Sequence, residues 1–516
     1  MNDDANPADD GGAKDTRKPL TKTFVGNFLW TISGAAMEAV LKIVVLSILA
    51  RLLAPGDFGV VSAAITVVAL AEIFGRVGVA PSIIQRPDLS NDDIRTGFTL
   101  AVLSGLVVAA LFFVFAGVVA DYYGMPDLTD LVRAFSLLFI LRGFTMVSEA
   151  LLQRRMQFRK LALANLLSYL IGYAATAITL SNLGFGPWAL VWGQMAQVAV
   201  MGVIANGMVR HDMRPMLHPQ SFRHFLHFGG GATLTGLGNY VALNADYFVV
   251  GRWLGADALG YYSRAYLLLW QPAQLFGSMG DRVLFPALAS IQHERARVGR
   301  AFCLAIGLTS FFLFPVSALL IVLAPEIIRI LLGQQWGAAV VPFQILVTAL
   351  TFRTAYKFIG TVLRATGAEF TYAAWQWTYA LCIILSAFAG KAYGLAGVSV
   401  AVALSITLIY LLGVVIVRWR ARISVLNSVI ALGRYLALGL ALCGLLFSVK
   451  ALLLPLGLPA LAIVAIICSV ALLAGVIAFW LLPILFGDER AWLIESMLMP
   501  LARRVGIARI FTKEPQ

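Results

Sequence analysis

Long apolar segments recur along the whole sequence, and each is close to the length of a membrane-spanning helix. A helix needs about 20 residues to cross the ~30 Å hydrocarbon core of a bilayer, where the backbone has to satisfy its own hydrogen bonds. Fourteen such segments lie near residues 24–49, 59–84, 97–120, 131–152, 161–181, 186–208, 229–250, 262–280, 302–323, 339–361, 371–388, 396–417, 429–452 and 460–485. The sequence therefore predicts an all-α polytopic membrane protein with fourteen transmembrane helices.

The composition excludes an ordinary globular protein. Hydrophobic residues fill 60% of the 516 positions and charged residues 13%, whereas charged residues make up about a quarter of a typical soluble chain. A transmembrane β-barrel is disfavoured because its short segments of alternating polarity do not occur in the sequence. The polar residues 1–22 have no signal-peptide pattern, and we expect them to form a disordered cytoplasmic tail.

Neither a metal site nor a disulfide framework is predicted. The four cysteines lie in apolar segments without a CxxC spacing, as is typical of small core residues. His224 and His227 have a spacing that suits a metal ion, but no cysteine or carboxylate is arranged around them. We therefore expect no metal and no other cofactor.

One short motif occurs twice, 201 residues apart (252 minus 51). The stretches ARLLAPGDFGVVSA (50–63) and GRWLGADALGYYSR (251–264) align without a gap and share Arg51 with Arg252, Leu53 with Leu254, Gly59 with Gly260, and Ser62 with Ser263. Each stretch joins the first two helices of a six-helix block. The sequence thus predicts a parallel duplication, with two lobes related by an axis along the membrane normal and a cargo site between them.

Basic residues indicate the orientation. They concentrate in alternate connecting segments, such as QRRMQFRK (153–160), HERARVGR (293–300) and RWRAR (418–422). Because cytoplasmic loops carry the excess of Lys and Arg, both ends of the chain are predicted to be cytoplasmic. The net charge of +13 then reflects loops beside anionic lipid, so membrane lipids are expected partners and nucleic acid is not.

These patterns predict six parts in the chain. They are a cytoplasmic tail (1–22), an N-lobe (23–208), a cytoplasmic interfacial connector (209–228), a C-lobe (229–417), two accessory helices (418–486) and a cytoplasmic amphipathic tail (487–516). In the connector, Phe222, Phe225 and Leu226 share one helical face and are expected to lie on the membrane surface. The same expectation applies in the final tail to Ile494, Leu498, Leu501 and Val505.

Several stretches are more specific than an apolar pattern. They are ARLLAPGDFGVVSAAITVVALAEIFGRVGVAPSIIQR (50–86), EALLQRRMQFRKLALANLLSYLIGY (149–173), GFGPWALVWGQ (184–194), and NADYFVVGRWLGADALGYYSRAY with DRVLFPALASIQ (244–292). Together they resemble bacterial polysaccharide flippases of the Wzx type, in the WzxC/ExoT-like branch. The resemblance covers residues 20 to about 420. It implies membership of the multidrug/oligosaccharidyl-lipid/polysaccharide (MOP) exporter superfamily, with two six-helix lobes around a central cavity and two C-terminal helices.

The resemblance also implies a function and partners. The expected cargo is an undecaprenyl-pyrophosphate-linked oligosaccharide repeat unit, which a flippase turns from the cytoplasmic to the periplasmic leaflet of the bacterial inner membrane for exopolysaccharide or lipopolysaccharide biosynthesis. A polymerase and a chain-length regulator of the same pathway are expected partners. The alternatives are a drug/cation antiporter of the same superfamily, a polymerase or glycosyltransferase, and a non-transporting scaffold; the short loops disfavour the enzymes.

No hydrolytic or transfer chemistry is visible in the sequence. It has no phosphate-binding glycine loop followed by Lys and Ser/Thr, no HExxH and no GxSxG. We therefore expect no enzymatic activity and no catalytic residues. Transport is expected to run downhill or to be coupled to H⁺ or Na⁺.

Ionisable residues within the spans are candidate site residues, because a charge in lipid is costly. Glu38 and Lys42 are four residues apart in the first span, and Glu72 and Arg76 repeat this spacing in the second. Each set is interpreted either as an internal ion pair or as a pair that faces a cavity. Lys42 and Arg76 are thus candidates for substrate binding, and Glu38 and Glu72 for ion coupling or pairing.

The tenth span carries a basic stripe. Arg353, Lys357, Gly360 and Arg364 follow helical spacing beside Tyr356, with no acid in the span. The stripe must face protein or water, because each central charge in lipid would cost about 3 kcal/mol. A cationic cavity lining that binds the pyrophosphate of the cargo fits these residue types, since arginine contacts phosphate oxygens in two places.

Two further charged residues within the spans are candidate site residues. Arg142 in the fourth span is expected to be an unpaired cavity residue, with a bond to helix carbonyls or to Glu149 as the alternative. Asp246 in the seventh span is a candidate for H⁺ or Na⁺ coupling, although a structural pair with Arg252 is favoured.

Overall fold

The fold is entirely helical in the residues that the structure describes. This structure is a computed structural model, and it describes residues 37–75, 78–279, 284–421 and 425–481, with single positions at 486, 489, 490 and 494. Arg76, the tail 1–22 and most of the final tail therefore lie outside the described residues. The predicted all-α membrane fold is confirmed.

The N-lobe contains the first six spans. Its elements are a helix described over residues 37–52 (α1), α2 (Pro55–Gly75), α3 (Val79–Gln85), α4 (Asn91–Tyr123), α5 (Leu128–Arg154), α6 (Phe158–Leu167), a π-helical segment (Ser168–Ala174), α7 (Ala175–Asn182) and α8 (Pro187–Met208). Local sequence explains several ends. A capping box of Ser90 and Asp93 begins α4, and Gly124 ends it in the left-handed conformation that glycine adopts readily.

The C-lobe and the accessory helices follow. Their elements are α9 (Pro219–Met279), α10 (Phe285–Ser290), α11 (Arg295–Val322), α12 (Ala324–Leu331), a 3-10 segment (Gln334–Ala339), α13 (Val340–Thr348), α14 (Leu350–Ala365), α15 (Glu369–Gly390), α16 (Gly394–Ala421), α17 (Val425–Leu453) and α18 (Ala460–Leu481). Gly255, with φ of 85°, kinks α9 between two successive spans.

Each of the fourteen predicted segments coincides, at least in part, with a helix of the described residues. Nine helices there are long and apolar enough to cross a membrane, or ten if the pair Gln334–Thr348 and Leu350–Ala365, which bends by 46°, is counted as one span. In this count residues 369–419 appear once, although they comprise the two helices α15 and α16.

The two repeated turns pack against each other where the lobes meet. A Cβ on Gly59 would lie 1.8 Å from the carbonyl oxygen of Ala256, and one on Gly260 would lie 1.9 Å from that of Pro55. Residues 256 and 55 are again 201 apart, so the contacts are reciprocal, as a two-fold relation requires. Ser62 donates a hydrogen bond to Ser263 at 3.1 Å on the same axis. We call this end of the bundle the turn end.

The opposite end carries residues 209–218, the part of the predicted connector that precedes α9, and we call it the connector end. Asp93 accepts hydrogen bonds from Ser90 and from Ser221, which lies in the first turn of α9. Phe225 of α9 is fully buried in an apolar cluster with residues of the N-lobe such as Ile83 and Phe98. The prediction that Phe225 lies on the membrane surface is therefore wrong: its ring fills protein rather than lipid.

The accessory helices attach through α17, which packs on α11. Near the turn end, Lys450 of α17 donates to the carboxylate of Glu326 and to the carbonyl oxygen of Val322, both at 2.7 Å. At the other end, Tyr435 donates to Glu489 at 3.1 Å. Most of the surface of α18 is left for lipid, since only 11% of its most apolar window is buried.

Candidate functional site

Two cavities lie next to each other in the described part of the chain. The larger, of about 640 Å³, is enclosed by α2 to α6 and α8 of the N-lobe and by Gly236 of α9. The smaller, of about 310 Å³, lies between α1, the π-helical segment and α8 of the N-lobe and α9 of the C-lobe. Gln197 of α8 lines both. These volumes are in the range of small-molecule sites.

A polar face of α5 lines the larger cavity. Arg142, Glu149 and Gln153 follow helical spacing on it, and Glu72 projects from α2. The Nε of Arg142 lies 2.8 Å from the Oε1 of Glu72, and 40% of the Arg142 side chain is exposed. The expectation that Arg142 is unpaired is therefore wrong. Its acid comes from another helix, and the guanidinium remains accessible from the cavity.

The smaller cavity holds one cation from each lobe. Lys42 of α1 and Arg264 of α9 both line it, together with Tyr169 and Tyr173. The Nζ of Lys42 pairs with the Oε1 of Glu38 at 2.7 Å and lies 5.8 Å from the centre of the Tyr169 ring. With this pairing, Lys42 still has 45% of its side chain exposed, so it remains available to an anion.

Arg264 is held at the edge of the lobe contact. Its guanidinium lies 4.8 Å from the centre of the Phe58 ring and donates to the hydroxyls of Ser263 and Ser62 at 3.4 Å. Within the described residues these contacts are with a ring and with hydroxyls, which do not neutralise the positive charge as a carboxylate would, so the guanidinium still attracts an anion in the cavity.

The π-helical segment separates the two cavities and contributes to both. Ser168 lines the larger one, while Tyr169 and Tyr173 line the smaller and stack with ring centres 5.2 Å apart. Gly172 faces α8 so closely that a Cβ would lie 2.5 Å from the Cα of Gln197. Because π-helical turns are rare and often occur at functional sites, this geometry supports a site at the junction.

The basic stripe of α14 lies among aromatic rings. Arg353 is 3% exposed, with its guanidinium 4.6 Å from the Tyr266 ring centre and 5.0 Å from that of Trp270. The Nζ of Lys357 lies 5.0 Å from the Trp270 centre and donates to Gln274 at 2.9 Å. Neither residue is in the lining of the two cavities, so their binding of cargo stays a prediction.

Arg364, the last residue of that stripe, lies between two rings, 5.6 Å from the centre of Phe285 and 5.5 Å from that of Tyr372. Three basic residues of one helix are thus placed over aromatic faces, whose electron-rich surface attracts cations. This arrangement explains how α14 carries them without an acid of its own.

Asp246 is buried in the C-lobe, at 1% exposure. It accepts a hydrogen bond from the hydroxyl of Tyr262 at 2.7 Å, and Arg353 is its electrostatic neighbour. The prediction that Asp246 pairs with Arg252 is wrong, because the guanidinium of Arg252 instead lies next to Gly124. A role of Asp246 in ion coupling stays a prediction.

Several lining residues had not been singled out from the sequence. They are Arg264, Tyr169, Tyr173, Asn165, Gln194, Gln197 and Gln271. A usable signal was present for Arg264 and the glutamines, since each is a polar residue inside an apolar segment. No signal in a single sequence marks the π-helical segment, which depends on how Gly172 packs against α8.

Comparison with known proteins gives the chain a clear set of relatives. The profile of the family described as "Polysaccharide biosynthesis protein" matches residues 48–341. The lipopolysaccharide biosynthesis protein WzxC of Escherichia coli (strain K12) is 28% identical over 346 residues, which are 65% of this chain and 70% of that one. The succinoglycan biosynthesis transport protein ExoT of Rhizobium meliloti (strain 1021) is 31% identical over 322 residues, 62% of this chain and 64% of that one.

Solved structures show a related fold. The lipid II flippase MurJ in an inward closed conformation superposes with a TM-score of 0.71 at 16% identity, covering 87% of this chain and 97% of that one. An inward-facing multidrug resistance transporter of the MATE family, in the MOP superfamily, gives a TM-score of 0.58 at 17% identity, covering 73% and 93%. At these identities the likeness concerns the fold alone.

Proposed function

Because this chain belongs to the polysaccharide biosynthesis protein family, we propose that it is a flippase for lipid-linked oligosaccharides. The family relatives include a named transport protein, and the chain is a membrane transporter of polysaccharide biosynthesis rather than an enzyme. The proposed cargo is an undecaprenyl-pyrophosphate-linked repeat unit, moved from the cytoplasmic to the periplasmic leaflet of the bacterial inner membrane. The residues that line the two cavities suit a cargo of this kind.

The observation that carries the proposal is the smaller cavity between the lobes. It holds Lys42 from the N-lobe and Arg264 from the C-lobe, so one anion can contact cations of both lobes. A pyrophosphate suits this arrangement, because the arginine fork binds two oxygens and the lysine supplies a movable point charge. The neighbouring larger cavity leaves room for the oligosaccharide.

The lobe contacts support alternating access. At the turn end, the repeated turns are packed together, and Trp336 of the C-lobe also donates to the carbonyl oxygen of Ala50 at 2.8 Å. The lining of the larger cavity reaches Gln153, in the last turn of α5 at the connector end. Following the excess of basic residues, we assign the connector end to the cytoplasm. The cargo then enters there, and the lobes part at the turn end to release it.

Arg353 and Lys357 remain proposed contacts for a later step. Lys357 donates to Gln274, three residues beyond Gln271 in the lining of the smaller cavity. Residues three apart lie on one side of a helix, so a movement of α9 brings this pair and the cavity together. Glu38, Glu72 and Asp246 remain the proposed residues for coupling to H⁺ or Na⁺.

Replacing the two cavity cations tests the function. We expect Lys42→Gln and Arg264→Gln each to reduce polysaccharide export in a flippase-null strain, since each loss of a charge-assisted contact costs about 1.5–3 kcal/mol, or roughly ten- to a hundredfold in affinity. The amount of protein in the membrane is measured alongside. Lys391→Gln is the matched control, because Lys391 lies over the rings of Trp253 and Phe388 away from both cavities.

Full export by the Lys42→Gln, Arg264→Gln double variant at normal abundance would contradict the proposal that these two residues form an anion site. A drug/cation antiporter predicts a different result, because two cations repel a cationic drug and their loss would increase drug export. Measuring resistance to cationic drugs in the same strains therefore separates the two functions.

A further inference from the structure

Arg264 belongs both to the smaller cavity and to the contact between the lobes. Its side chain lines the cavity with Lys42, while its guanidinium reaches Ser62 and Ser263, the serines that join the two repeated turns. Lys42, by contrast, pairs with Glu38 of its own helix. Of these two cations, Arg264 is therefore the one placed to connect cargo binding with the turn end.

The contacts of Arg264 begin a chain of hydrogen bonds that joins the lobes. The guanidinium donates to both serine hydroxyls at 3.4 Å. Ser62 donates to Ser263 at 3.1 Å, and Ser263 donates to the carbonyl oxygen of Gly260 at 3.0 Å. Gly260 is the residue that packs on Pro55 of the opposite turn. Because hydrogen bonds in a chain polarise one another, a charged donor at its head strengthens the bonds that follow.

The same guanidinium supports an aromatic contact at the turn end. It lies 4.8 Å from the centre of the Phe58 ring. Phe58 is 2% exposed and meets Trp336 of the other lobe edge to face, with ring centres 5.4 Å apart. The indole of Trp336 in turn donates to the carbonyl oxygen of Ala50 at the end of α1. Arg264 thus contacts two of the groups that hold the lobes together here, the serine pair and Phe58.

An anion in the cavity can compete for this guanidinium. Its bonds to the serines, at 3.4 Å, are longer than the ~2.7–3.2 Å of most N–H···O hydrogen bonds. They use Nε and Nη2, which form one edge of the arginine fork. A phosphate on that edge accepts two charge-assisted bonds, each about twice as strong as a bond between neutral groups. Turning the edge toward a phosphate therefore releases both hydroxyls.

We propose that Arg264 couples the binding of an anion in the smaller cavity to the opening of the turn end. The guanidinium leaves the serines and Phe58 for the phosphate, and the hydrogen-bond chain loses its charged head. The anion favours the open turn end because only there is the guanidinium released from the serines, and a ligand shifts an equilibrium toward the state that it binds better. This inference rests on the proposed flippase function and adds the step by which cargo triggers its own release.

Distances between two spin labels on the purified full-length chain in lipid nanodiscs test the inference. With the four natural cysteines replaced by Ala, the labels are attached at Leu183→Cys and Tyr393→Cys, which are 66% and 82% exposed. Their loops adjoin the first and the second repeated turn, respectively. We expect undecaprenyl pyrophosphate to shift the labels toward a longer distance. Undecaprenol, which lacks the phosphates, should leave the distance unchanged.

Two substitutions separate the coupling from the binding of the anion. Arg264→Gln should show the longer distance without any probe, because the chain has lost its charged head. Lys42→Gln should keep the short distance and the shift, but at about ten- to a hundredfold more undecaprenyl pyrophosphate, since it loses only a charge-assisted contact. Arg133→Gln is the matched control: Arg133 lies 5.5 Å from the centre of the Phe113 ring and lines neither cavity. It should behave as the wild type.

The variant Ser62→Ala gives a readout that a merely structural contact would not change. Ser62 lines neither cavity, and its replacement keeps every charge in place. We nevertheless expect the affinity for undecaprenyl pyrophosphate to rise about two- to tenfold, because the closed turn end loses one hydrogen bond. Coupling is reciprocal, so a change that favours the open turn end must also favour the anion.

The outcomes separate the inference from the function on which it rests. If the wild type does not bind undecaprenyl pyrophosphate, the proposed function fails. Three results would overturn the coupling while the flippase proposal stands. They are binding by the wild type without a longer distance, a short distance in Arg264→Gln without the probe, and an affinity of Ser62→Ala that is unchanged or lower.

Discussion

Charged residues within the helices are compensated in three ways, and only one of them is visible in a sequence. Glu38 and Lys42 pair within one helix turn, which the four-residue spacing predicted as one interpretation. Arg142 pairs instead with Glu72 from another helix, and Arg353 lies between aromatic rings. Contacts of these last two kinds depend on how helices pack, so a single sequence cannot assign them.

The Glu72–Arg142 pair is expected to stabilise the protein. Glu72→Gln should lower the stability of the protein by about 1–2 kcal/mol, less than for a fully buried pair because 40% of Arg142 is exposed. The double variant Glu72→Gln, Arg142→Gln should recover part of the loss, because the guanidinium that loses its partner in Glu72→Gln is then absent as well. The thermal midpoints of the purified variants measure the effect. A double variant less stable than both single ones would contradict the pair as the cause.

Helices were predictable from the sequence to a large extent, and their interruptions were not. The apolar segments coincide with every described helix that is long and apolar enough to cross a membrane, because about 20 apolar residues suffice to identify one. The left-handed Gly78 that begins α3, with φ of 65°, and the bend between α13 and α14 leave no comparable mark. Both interrupted spans lie at the interior of a lobe, where packing against neighbours outweighs local preference.

The ion pair between Lys450 of α17 and Glu326 of α12 is expected to stabilise the protein. Lys450 and Glu326 are each 11% exposed in their side chains and lie 2.7 Å apart, so Lys450→Met should cost about 3–5 kcal/mol by leaving Glu326 buried without its partner. Adding Glu326→Leu should restore much of that stability. Thermal midpoints in detergent report the change. Equal midpoints for the wild type and Lys450→Met would show that the Lys450–Glu326 pair does not hold α17 on the C-lobe.

The whole molecule is organised around its internal duplication. The repeated motif indicated two equivalent turns, and the structure adds that they touch through Gly59 and Gly260. Only glycine allows this approach, since any side chain at either position would collide with the opposite backbone. The sequence contained the repeat but not the contact, because two copies of a motif also arise in lobes that lie apart.

A cross-link between the two repeated turns is expected to stop transport. The hydroxyl oxygens of Ser62 and Ser263 are 3.1 Å apart, so Ser62→Cys with Ser263→Cys should form a disulfide with little backbone movement. With the four natural cysteines replaced by Ala, oxidation should stop polysaccharide export, and a reductant should restore it. The single cysteine variants are the controls. Undiminished export from fully cross-linked protein would mean that the turn end stays closed during transport.

The burial of Phe225 within the N-lobe has a consequence for how the chain is made. The ribosome has to complete the connector and the start of α9 before the N-lobe can close its own core, since the ring that fills it arrives after the sixth span. The gap left by a missing aromatic ring typically costs about 3–5 kcal/mol. The first six helices therefore lack one side chain of their core until synthesis has reached the start of α9, and the segment needed to complete the N-lobe extends past the sixth span.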